Sequence, residues 1–244
     1  MGINTAYRGV SGISAARSAS FNRPFIRDVG HVPGGVIVQG SKWIDPGNTG
    51  STRNIRAGHV GMLTSNKIVP AFFGPMAADY ADNALSLTVS AATAQRIYQA
   101  LGDAATIYVL AGTSAPSTLA TVLATAVAYT AINTTTGVLT VPDLNVSLES
   151  DGSFIVGFQP MLLGGSGGIS SPNQALCVLD RAEGVSVIDA DANSIDVDVA
   201  EAAIEGLLDI DALPLWPTNA FVGEVLAANL RAANPNLRCN NKWT

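Results

Sequence analysis

Apolar and polar residues alternate with a period of two along much of this chain. Gly, Pro, Asn and Asp interrupt the alternation every few residues. That is the grammar of short strands joined by tight turns. Val36–Val38 reads as a buried strand, and Asp45-Pro46-Gly47-Asn48 as a turn. A strand pair is predicted to begin across Asn54–Gly61 and to end at Lys67–Pro70. Leu85–Val89 alternates, and then the period changes. Ser90 can cap a helix over Ala91–Leu101 that Gly102 stops, with Ala94, Ile97, Tyr98 and Leu101 on its apolar face. Thr106–Leu110 returns to strand. Val122–Ile132 and Val138–Val141 flank the loop 133–137 as a hairpin, and Ser153–Phe158 adds a strand.

Beyond the glycine-rich stretch 164–168, the best candidate boundary, three strands are predicted: Ala175–Leu179, Val185–Ile188 and Ser194–Val199. The last two form a hairpin over 189–193. A helix is predicted from Thr218 to about Ala232, with Phe221, Val222, Val225, Leu226 and Leu230 on one face, and Pro235 ends it. The expected fold is therefore mainly β (α+β). It comprises an extended N-terminal arm (1–30), a small β-barrel-like domain with a short helix (31–163) and a C-terminal β-hairpin-plus-helix unit (169–244).

Charge changes this picture. Charged residues make up only 13% of the chain, about half the usual globular share, and they are sorted by position. Residues 1–67 carry eight Lys/Arg against Asp28 and Asp45, whereas 68–230 carry seventeen acids against Arg96 and Arg181. Such asymmetry speaks of partners. Within 1–30 there is no sustained period. Arg8, Arg17, Arg23 and Arg27 are spaced among small residues, with Tyr7, Phe21 and Phe25 as isolated aromatics. An arm of this kind orders when laid on a partner. Its cations stand singly, without a Lys/Arg cluster or a nucleic-acid module, so an acidic protein surface suits it better than nucleic acid. Arg53 and Arg56 extend the basic region into the first β segment. No window reaches the ~18 apolar residues of a membrane span, and no signal-peptide pattern opens the chain. The expectation is a soluble protein made in the cytoplasm, with neither membrane nor nucleic acid as partner.

Several patterns touch on chemistry, and each has an ordinary explanation. Asp189-x-Asp191-x-Asn193 begins like a calcium loop. Ser194 stands where its glycine belongs and Ala200 where its bidentate Glu belongs, so a hairpin turn is favoured. Asp196 and Asp198 share a strand face at ~7 Å, a spacing compatible with paired-carboxylate hydrolysis. A solvent-facing edge with buried valines explains them more simply. Gly164–Gly168 lacks the Lys-Ser/Thr of a phosphate loop, and no Gly-x-Ser-x-Gly elbow exists. His31 and His59 have no ligand-spaced companions. Cys177 and Cys239 read as one buried and one tail thiol, with a bridge between them as the other arrangement. No catalytic residue, cofactor or metal is expected.

Two stretches carry a resemblance. Gly35–Val38, Ile55-Arg56-Ala57-Gly58-His59-Val60-Gly61-Met62-Leu63 and Lys67–Pro70 resemble the opening of lambda-type phage head decoration proteins. Glu183–Asp189, Asp196–Val199 and Ile204–Leu208 are similar to the tail of larger phage structural proteins of that kind. The resemblance implies a capsid cement protein on the outer surface of the virion. Such a protein adds to the expanded shell, commonly as a trimer, and bridges major capsid subunits through its N-terminal arm. The capsid contacts would then be Tyr7, Arg8, Arg17, Phe21, Arg23, Phe25, Arg27, Arg53 and Arg56. Residues roughly 85–165 exceed the small members of the family and would be an insertion that projects outward or spans further across the lattice. A head-fibre base or tail/baseplate subunit, a carbohydrate-binding β module, and an enzyme using Asp196 and Asp198 are the other readings.

Overall fold

The computed structural model describes residues 24–45, 54–111, 123–160 and 175–240. Along the chain lie β1 (Phe25–His31), β2 (Val36–Val38), β3 (Asn54–Ile55), β4 (Val60–Thr64), β5 (Lys67–Pro70), β6 (Phe72–Pro75) and β7 (Ser86–Thr88). Helix α1 (Ala91–Leu101) follows, then β8 (Ala105–Ala111), β9 (Leu123–Tyr129), β10 (Ala131–Asn133), β11 (Val138–Thr140) and β12 (Ser153–Val156). The chain closes with β13 (Ala175–Leu179), β14 (Val185–Ser186), β15 (Val197–Val199), β16 (Ala202–Asp209), α2 (Ala220–Ala233) and β17 (Leu237–Asn240). The described residues are mainly β with two α-helices, as the alternation predicts, and their largest sheet curls into a half-barrel.

That sheet runs β1-β16-β13-β4-β5-β2-β15, with β17 lying parallel along the second half of β16. The central strand β13 shows why these residues fold this way. Leu176 and Val178 point to one core, Cys177 and Leu179 to another. A strand buried on both faces must be apolar throughout, and Leu-Cys-Val-Leu is. The hairpin β4–β5 turns on Ser65 and Asn66, both at positive φ. That is the two-residue turn whose twist matches paired strands.

Residues 72–158 build a second layer. A four-stranded sheet, β6-β12-β8-β9, packs with a three-stranded one, β10-β11-β7. Between the layers lies a core in which Phe72 touches Phe154 edge-on at 6.0 Å, with Phe158 at 6.3 Å and Trp216 at 6.0 Å. Helix α2 closes this core with Val222, Val225, Leu226 and Leu230. It begins at Ala220 rather than Thr218, because the Asn219 side chain accepts from the Val222 amide at 3.2 Å and so caps it.

Helix α1 has the predicted limits. Ser90 Oγ accepts from the Thr93 amide at 3.1 Å, and Gly102 at φ +94° ends it. Its buried stripe differs from the expected one. Thr93, Ala94, Arg96, Ile97 and Ala100 are inside, while Tyr98 is 43% exposed. The guanidinium of Arg96 causes the rotation: it donates to Phe73 O and Thr93 Oγ1, both at 2.9 Å, and so draws its own face inward. Gly137 fits the β10–β11 hairpin against the start of α1. It adopts φ +78°, and a Cβ there would stand 1.9 Å from Val89 O.

Residues 36–70 and 175–209 share the one curled sheet, so the two sides of the expected boundary at 164–168 meet in a single core. The glycine stretch itself lies outside the described residues.

Candidate attachment surface and the buried Asp45 cluster

Of the nine expected contact residues, Tyr7, Arg8, Arg17, Phe21, Arg23 and Arg53 lie outside the described residues. The structure corrects the role of Phe25. It opens β1, pairs with Leu208 and is buried in the main core, so its ring is not offered to a partner. Arg27 belongs to the same strand, opposite Leu207. Residues 25–30 of the expected arm are thus strand. The Pro24 carbonyl accepts from the Asp209 amide at 2.7 Å. Among the described strands, β1 is one end of the curled sheet, and the basic N-terminal segment joins the fold at that margin.

Arg56 is held from within. Asp45, fully buried, receives its Nε at 2.9 Å and Nη2 at 2.7 Å, and also accepts the Arg56 backbone amide at 2.8 Å. The Arg56 side chain remains 40% exposed. His59 Nε2 stands 3.2 Å from the same carboxylate, within ion-pair distance. The His59 ring packs edge-on against Trp43 at 5.8 Å. Burial pushes the Asp45 carboxyl up, but His59 and Arg56 outweigh it and hold the group far below the usual carboxylate range. Asp45 in turn raises Arg56. A salt link of this kind joins the flanks of 46–53 and turns one face of a guanidinium inward, leaving the rest exposed.

Arg96, buried on α1, is pushed down to about 10 by burial, partly offset by Asp45, and so stays charged at neutral pH. Sequence reasoning passed over Asp45, Trp43 and Arg96. The available signal was an acid beside Trp43 and Ile44 in a segment otherwise almost free of acids.

The remaining candidates take their ordinary places. Asp189 accepts from the Asp191 and Asn193 amides at 3.0 and 2.8 Å, forming a hairpin turn whose hydrogen bonds lower its pKa. Asp196 pairs with Lys67 at 2.9 Å, and Asp198 is exposed on β15, the other end of the curled sheet, whose Val199 is buried. His31 stands 3.5 Å from Asp180. Among the described residues, no three His, Cys, Asp or Glu side chains converge as metal ligands. Both thiols are free: burial pushes Cys177 up to about 12, and Cys239 up to about 11 against the pull of Arg231. Trp43 is buried and Trp216 packs on Phe72, so neither forms an exposed platform for a sugar ring. No helix among the described residues is long and apolar enough to cross a membrane. In comparison with known proteins, no family model, no curated protein and no solved structure matches the chain.

Proposed function

We propose that this chain is a structural, non-catalytic protein that decorates a bacteriophage capsid and stabilises it by bridging major capsid subunits. One observation carries the reading: a basic, arginine-dominated N-terminal segment joins the fold at a sheet margin, while the rest of the chain to residue 230 is strongly acidic. The segment supplies attachment, and the half-barrel is the body it tethers. Arg8, Arg17 and Arg23 pair with capsid carboxylates, where a planar fork gives two hydrogen bonds per residue. Tyr7 and Phe21 bury against the shell, and the exposed part of Arg56 adds a contact beside it. Phe25 is left out of this set because it belongs to the core. Several copies on one lattice multiply contacts that are individually weak.

The test removes residues 1–22, which leaves Pro24 and β1 in place, and mixes the truncated and full-length proteins with empty expanded shells. Full-length protein is expected to co-sediment, more weakly as salt is raised, and the truncated form to stay in the supernatant with an unchanged circular dichroism spectrum. Equal co-sedimentation of both forms overturns the attachment role. Imaging of purified particles that places the protein on the tail overturns the head assignment.

A further inference from the structure

Strand β9 is the outermost strand of the four-stranded sheet, paired on one side with β8. The pairing is regular, running from Ala105 opposite Tyr129 to Ala111 opposite Leu123 without a register shift. No strand among the described residues pairs with its other side. In an antiparallel pair, alternate residues direct their N–H and C=O groups away from the partner. A strand of this length therefore presents about three donors and three acceptors along an open edge. The strand is held in place, since the buried Tyr129 donates its hydroxyl to Gly102 O at 2.8 Å.

Soluble proteins protect such an edge with charge, proline or a bulge. None is present on this one. Residues 104–142 contain no Asp, Glu, Lys, Arg or His, in a stretch that includes β8, β9, β10 and β11. Beside the open edge, Val127 is buried while Ala126 and Ala128 are exposed, so little side-chain bulk stands in the way of an approaching strand.

We infer that β9 is a self-association edge, pairing antiparallel with β9 of a second copy across a twofold axis, so that two four-stranded sheets become one of eight. The charge pattern favours a second copy as occupant. A twofold contact sets a strand against itself, so any charge near the axis meets its own like. A neutral strand escapes that repulsion, whereas an acidic or basic partner would find no complement here. The pairing is independent of the capsid reading and extends it: a twofold contact would join attached units to one another instead of to the shell.

The experiment is sedimentation velocity on the full chain at ~10–100 μM, a range suited to the modest affinity of a small edge contact. Wild-type protein is expected to sediment as a dimer that dissociates on dilution. The A126K/A128K variant places four lysines at the twofold contact and is expected to be monomeric over the same range. Both sites are exposed, so its circular dichroism and melting are expected to match wild type. A126E/A128E is expected to be monomeric alone, and an equimolar mixture of the two variants to restore the dimer. A monomeric wild type, or a lysine variant that dimerises as wild type does, overturns the inference. Failure of the mixed variants to associate does so too, because it removes β9 as the contact.

Discussion

Replacing Arg56 by Gln leaves the Asp45 carboxylate inside the protein without its arginine partner. The two partners are unequal. The carboxylate is fully buried, while the guanidinium is 40% exposed and can regain water if the acid is removed. Removing one partner of a fully buried pair costs roughly 3–5 kcal/mol, most of it the penalty of the stranded charge. The partial exposure of Arg56 means that solvent already screens the pair, which brings the expected loss for Arg56→Gln to about 2–3 kcal/mol. Asp45→Asn keeps an oxygen for the Arg56 amide and strands a cation that can rehydrate, so about 1–1.5 kcal/mol is expected. Urea unfolding at pH 7, followed by tryptophan fluorescence, reads both. The order is the informative result: the arginine variant should be the less stable.

The pH dependence supplies a second check on the same pair. Asp45 has a depressed folded-state pKa. Its contribution is therefore complete above the unfolded carboxylate value near 3.9 and is lost as pH falls below that value toward the folded one. Wild-type stability should drop more steeply than that of Asp45→Asn from about pH 5 downward. An Asp45→Asn variant at least as destabilised as Arg56→Gln, or one with the wild-type acid slope, would refute the reasoning.

Two further outcomes are expected. Gly137→Ala places a Cβ 1.9 Å from Val89 O at φ +78° and is expected to destabilise by at least about 2 kcal/mol, read as a lowered Tm; a change below about 0.5 kcal/mol would mean the hairpin and the start of α1 yield easily. At pH 8 a thiol reagent should label Cys239, half-buried with its pKa near 11, slowly, and Cys177, buried with its pKa near 12, more slowly still, while urea-unfolded protein should label both at one rate; fast labelling of Cys177 in the native state would contradict its place in the core.

What was legible in the sequence was local. Ser90 and Gly102 delimit α1 because capping involves only nearby residues, and Lys67–Pro70 is strand β5 as its alternation predicts. What was not legible depends on partners far along the chain. Ala202–Asp209 has no clean alternation and includes Glu205 and Gly206, yet it forms the longest strand among the described residues. It does so because β1, β13 and β17 all pair with it. Phe25 was expected on a partner for the same reason: its burial requires Leu208, at the other end of the chain. The inward face of α1 was misjudged because a hydrophobic pattern assigns arginine to solvent. Arg96 is inside on account of a carbonyl at Phe73, which no helical period encodes. The Asp45 cluster was hidden in part by the usual reading of Asp-Pro-Gly-Asn as a surface turn.

The place of β1 in the curled sheet has a temporal consequence. Its partner β16 is made only after residues 32–201, whereas the four-stranded and three-stranded sheets and α1 all lie within the span 72–158. Local pairings close quickly, and distant ones wait on the entropy of a long loop. That layer is therefore in a position to fold during synthesis, before Phe25 docks against Leu208. A nascent or truncated chain lacking β16 would carry its arginine-rich leader untethered to any sheet. Synthesis of β16 thus acts as the step that joins β1 to a folded body.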